Sequence, residues 1–71
     1  MNTKEVMQLQ AHLQNTFSND SIKVIKRKDQ DDSVEVNVGD EFIGVIYKDF
    51  DEGEISYQLH MAIIEEDLPD F

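Results

Sequence analysis

A chain of 71 residues without cysteine is expected to form one small domain, residues 1–71, that neither a disulfide nor a thiolate metal site can staple. Sixteen acidic side chains against six basic ones give a formal net charge of −10, which repels phosphate backbones and anionic lipid surfaces and argues against nucleic-acid and membrane partners. No apolar run approaches the ~18 residues of a membrane span, and residues 1–10 lack the basic-then-apolar pattern of a leader, so a cytoplasmic location is expected.

The first segment predicts a helix over about residues 3–17. Asn2 can cap it, with Glu5 as the reciprocal partner of a capping box. Val6, Leu9, Leu13 and Phe17 follow at helical spacing and form one apolar stripe, flanked by Gln8, Gln10, His12 and Gln14. Ser18-Asn19-Asp20 is a turn cluster that ends the helix.

After it the period changes to two. A strand is expected over about 21–27, then a polar loop over 28–33 and a second strand over 34–38 with Val34, Val36 and Val38 on one side. Gly39-Asp40 fits a two-residue hairpin turn leading into a third strand over 41–48. An acidic turn around Gly53 leads to a fourth strand over 55–64, where Ile55, Tyr57, Leu59, Met61 and Ile63 alternate with Ser56, Gln58, His60 and Ala62. Residues 65–71 form an acidic tail. The fold class is therefore α+β: an N-terminal helix packed on one face of a four-stranded, mainly antiparallel β-meander.

The hairpin turn fixes an expected register. Val36 should oppose Ile43 and Val34 should oppose Val45, so that these residues share an inner face with Tyr47 and the odd-numbered residues of strand four. Leu9, Leu13, Val36, Val45, Leu59 and Met61 are then the expected core. Ile25, Phe42, Ile46 and Ala62 fall on the outer face around Gly44, an apolar set large enough to suggest an interaction site.

Chemical motifs are few. Asp49 to Glu54 begins like a calcium loop but has Gly53 at the fifth position, where Asp or Asn is needed, and Glu54 at the sixth, where Gly is needed. The stretch from Asp29 fails as well, with Val34 in the glycine position. His12 and His60 stand outside any ligand-spaced cluster. Ser56 and His60 share a strand face but lie roughly 13 Å apart along it, too far for a nucleophile and its base. No enzyme activity, cofactor or metal is expected. Lys23 to Lys28 is a basic run without interleaved aromatics, suited to guarding a strand edge rather than to stacking bases.

The tail, Glu65-Glu66-Asp67-Leu68-Pro69-Asp70-Phe71, resembles the acidic tip of bacterial single-stranded DNA-binding proteins, from which Asp70 departs. That likeness implies docking of Phe71 and its carboxylate on a partner. The competing expectation is that Leu68 and Phe71 fold back onto the Phe42–Ile46 face and close a second small core.

The segments Asp31–Val36, Gly39–Tyr47 and Met61–Leu68 together resemble a family of short alphaproteobacterial proteins catalogued only as a domain of unknown function. The resemblance implies a free-standing bacterial protein and carries no activity. The leading expectation is a non-enzymatic protein-interaction module that self-associates as a homodimer or takes a basic protein partner, with Ile25, Phe42, Gly44, Ile46, His60, Leu68 and Phe71 as candidate contact residues. The alternative is a small-ligand or metal-binding domain using the outer sheet face around His60.

Overall fold

The computed structural model describes residues 1–29 and 31–71. Gln30, within the polar loop expected over 28–33, lies outside the described residues. Helix α1 (Thr3–Phe17) precedes strands β1 (Ile22–Lys26), β2 (Ser33–Val38), β3 (Glu41–Asp51) and β4 (Glu54–Met61), with a single 3-10 turn at Glu65–Asp67. The sheet is antiparallel with strand order β1-β2-β3-β4, a meander.

The capping box forms as its residue types require. Asn2 Oδ1 accepts from the Glu5 N–H at 2.8 Å, and Glu5 Oε1 accepts from the Asn2 N–H at 3.0 Å. At the far end Ser18 takes the left-handed conformation, and its N–H returns to the carbonyls of the last turn.

The Gly39-Asp40 turn stands where the sequence puts it, with Gly39 at φ +60° and Val38 opposite Glu41. The expected register then fails within three residues. Asn37 opposes Phe42, but Val36 opposes Gly44 and Val34 opposes Ile46, which leaves Ile43 as the extra residue of a β-bulge. Beyond the bulge every β3 side chain lies on the face opposite to expectation. Gly44 and Ile46, expected outside, belong to the inner face, and Ile46 is only 3% exposed. Val45 and Tyr47, expected inside, lie outside beside Glu35, Gln58 and His60.

The bulge has a packing rationale. Ile43 and Ile46 are three residues apart and cannot share a face of a regular strand. With Ile43 itself the extra residue, Ile46 is buried and Ile43 still packs against the core. Gly44 makes the crossing sterically feasible, because a Cβ there would stand 2.5 Å from the His60 carbonyl oxygen. Its close neighbour is thus the chain's own β4 rather than a partner.

The buried core is Ile22, Val24, Val34, Val36 and Ile46, with Val6, Leu9 and Leu13 of α1 packed onto it half-buried. Of the four strands, α1 lies closest to β1. It therefore covers β1, β2 and the near part of β3 but leaves β4 open. Leu59 and Met61, expected in the core, do face the helix side but remain 39% and 55% exposed.

The expected acidic turn over 49–54 is mostly strand. Only Glu52 (φ +52°) and Gly53 (φ +78°) form the turn, and both take the positive φ of a tight primed hairpin. The β3–β4 arm consequently runs past the helix, in a molecule 45 Å long and 24 Å across. β4 ends at Met61, short of the expected residue 64. Leu68 and Phe71 are exposed, so the tail does not close a second core over Phe42.

Candidate interaction surface

The helix has two polar flanks, and they meet different surroundings. On one side Gln10 Oε1 accepts from the Val24 N–H at 3.0 Å, and Gln14 Nε2 donates to the Ile22 carbonyl at 2.9 Å. These are outward backbone groups of β1, the sheet's first edge, and the two glutamines close it. On the other side Gln8 and His12 border a groove between α1 and β4. His12 is within 3.4 Å of Thr16 Oγ1 along its own helix, and among the described residues no side chain bonds the backbone of β4 as Gln10 and Gln14 bond that of β1.

The groove has Ile46 and Leu59 as its floor, Leu9 and Leu13 on the helix side, and a volume of about 410 Å³. A second hollow of about 360 Å³ continues it past Leu13 and Leu59 toward Phe17 and Met61. Along β4 the inner face reads Ile55, Tyr57, Leu59, Met61, and Phe50 stands opposite Ile55 at the tip of the arm. All five, and Phe17 on the helix, are exposed large apolar side chains. An apolar surface this continuous on so small a chain is unusual.

One charged cluster fixes the groove's polar end. Glu5 Oε2 accepts from Tyr57 Oη at 2.7 Å and pairs with Lys48 Nζ at 2.6 Å. The same carboxylate thus caps the helix through one oxygen and ties it to β3 and β4 through the other. The Lys48 and Tyr57 bonds hold the Glu5 pKa down from its ordinary 4.5 to about 2. Reciprocally, the bond to Glu5 raises the pKa values of Lys48 and Tyr57. The groove end is therefore a neutralised pair rather than a free charge.

The candidate residues named from sequence divide among three places. Ile25, Phe42 and His60 lie on the outer face, where Ile25 opposes Glu35 and the His60 ring meets Tyr47 edge-on at 5.2 Å. Gly44 and Ile46 lie on the inner face, and Leu68 and Phe71 stand on the exposed tail. No single surface unites them. Around His60 a broad, open hollow of about 610 Å³ lies beside Phe42 and Val45, and among the described residues no three potential ligands converge on a metal position.

The residues that sequence reasoning missed are Lys48, Tyr57, Gln8 and, as more than a cap, Glu5. A signal existed for Tyr57. A phenol at an inward position of a strand needs a hydrogen-bond partner, and the helix supplies a carboxylate there.

Comparison with curated proteins and with solved structures finds no match. The family described as "Protein of unknown function (DUF3126)" matches residues 5–67, which take in most of α1, all four strands and the 3-10 turn. The chain belongs to that family.

Proposed function

We propose that the protein is a non-enzymatic protein-interaction module and that its docking surface is the α1–β4 side of the sheet. The observation that carries this reading is the uncovered inner face of β4. Ile55, Tyr57, Leu59 and Met61 are all exposed on the side where a helix already packs over the neighbouring strands. Burial of such a row is the main favourable term in most protein association. The β4 edge adds a second attraction. Between Ile55 and Met61 it carries no acidic residue, lysine or proline, the usual devices that stop an edge strand from pairing.

The chemistry of the surface favours binding over catalysis. Its one carboxylate is engaged by Lys48 and Tyr57, and its one histidine by Thr16. The outer face around His60 is the weaker candidate, because its hollow is more open than the groove, without a helix for a wall, and its His60 ring already meets Tyr47 edge-on.

The test is comparative capture from cells that carry the protein. Met61→Lys places a charge on the α1–β4 side at a position already exposed, and Phe42→Glu does the same on the outer face. The reading expects Met61→Lys to abolish capture of bound protein, the chain's own copies included, and Phe42→Glu to leave it intact. Equal capture by wild type and Met61→Lys overturns it.

A further inference from the structure

Resting on that reading, we infer that the occupant of the α1–β4 groove is a second copy of this chain, with the β3–β4 arms of two copies stacked inner face to inner face about a two-fold axis. Three observations favour this partner. First, charge: the chain has sixteen acidic side chains, and those of the arm, Asp49, Asp51, Glu52 and Glu54, belong to the outer-face set or the hairpin turn rather than to the row Tyr57, Leu59, Met61. The one carboxylate bordering the groove, Glu5, is neutralised by Lys48. The contact itself therefore sets no carboxylate against another, so that only the screened long-range repulsion of two copies of net charge −10 opposes it, whereas a basic peptide finds no free anion in it.

Second, area: Phe17, Phe50, Ile55, Tyr57, Leu59 and Met61 together expose on the order of 600 Å² of surface, approaching the ~800 Å² per partner of a standard interface before the groove walls are added. Third, shape: the uncovered half-sheet is two strands wide and bounded on one side by α1. Sheets pack face to face at ~10 Å, about the distance at which a helix rides over a sheet. A partner's β3–β4 arm thus occupies the same layer as α1, alongside it. Its bare β4 edge then faces Gln8 and His12, as the β1 edge faces Gln10 and Gln14 within one copy. The contact is isologous and closes at two copies.

Sedimentation equilibrium of the purified full chain, from low to high micromolar concentration, tests this. The expected result is a reversible dimer. Met61→Lys should raise the dissociation constant by about tenfold or more, with unchanged far-ultraviolet circular dichroism. Gln8→Ala should raise it less, and Phe42→Glu should leave it unchanged. Gln8 is a surface position whose replacement leaves the core intact, so it keeps the test informative if the lysine variant fails to fold. A chain that is monomeric throughout overturns the inference. If Met61→Lys still abolishes capture from cells, the docking surface stands with a different occupant; if it does not, both readings fail. A dimer broken by Phe42→Glu and indifferent to Met61→Lys and Gln8→Ala assigns the contact to the outer face and also overturns the inference.

Discussion

The two edges of this sheet are built on opposite plans. At β1, Lys23 alternates with buried Ile22 and Val24, Lys26 ends the strand, and the helix glutamines Gln10 and Gln14 satisfy outward backbone groups. At β4 there are no such guards among the described residues, and the inward row of Ile55, Tyr57, Leu59 and Met61 is exposed. A single 15-residue helix is too narrow to cover four strands, so the chain closes one edge and leaves the other. Where a small domain lacks covering elements, the uncovered edge is the place at which an added partner would bury apolar surface.

The sharpest way to break this comparison is to test the covered half against the open half. Ile46→Ala empties a buried site and should cost about 2–5 kcal/mol, enough to unfold much of so small a domain, while Met61→Ala on the open half should cost far less in the isolated monomer. Urea unfolding at low concentration measures both. Equal losses would mean that the β4 face is already packed. Gly44→Ala should follow, at about 1–3 kcal/mol, because its Cβ would drive against the His60 carbonyl and β3 and β4 must move apart.

A smaller effect sharpens the contrast between the edges themselves. Gln10→Ala and Gln14→Ala each remove a side-chain cover from β1 and should each cost about 1 kcal/mol, or roughly 4–8 °C in Tm. Gln8→Ala should leave the Tm of the monomer unchanged, since it closes no edge within its own copy. Thermal melts of the three variants check this, and a Gln8→Ala loss equal to the other two would contradict it.

The smallest effect belongs to the Glu5 clamp and depends on pH. Glu5 is held at about 2 against an ordinary 4.5, so its folded pKa is depressed. Its stabilisation is present above 4.5 and is lost as pH falls through about 2. Lys48, with a raised pKa, contributes fully below its ordinary 10.5 and loses that contribution as pH rises through its folded value. The gap in Tm between wild type and Glu5→Gln should therefore be widest near neutrality and shrink steadily as pH falls from about 4.5 toward 2. A gap independent of pH would show that Glu5 acts through its cap alone.

Much of the architecture was legible in the sequence because it rests on local signals. The Asn2–Glu5 box, the Val6–Leu13 stripe, the Gly39-Asp40 turn and the alternation along β4 each state their own element. The face of β3 was not legible. Turn geometry fixes a register, but the bulge at Ile43 shifts it by one residue, and its cause is the need to seat both Ile43 and Ile46 in one core. That is a tertiary demand with no local marker except Gly44, whose lack of a side chain admits either neighbour. The candidate site suffered the same inversion. Phe42 and Ile46 read as one outer patch, whereas the open apolar surface is on the helix side, where Leu59 and Met61 read as core. Periodicity tells which residues point together, but not how far a helix reaches across the sheet that they point from.

Amide hydrogen exchange across the two edges tests the central claim most directly. At low micromolar concentration the Val24 amide, held by Gln10, should be protected, while those amides of Glu54–Met61 turned away from β3 should exchange rapidly. Raising the concentration should slow the β4 amides and leave Val24 unchanged. Equal protection of both edges at low concentration, or a β4 edge indifferent to concentration, would contradict the account.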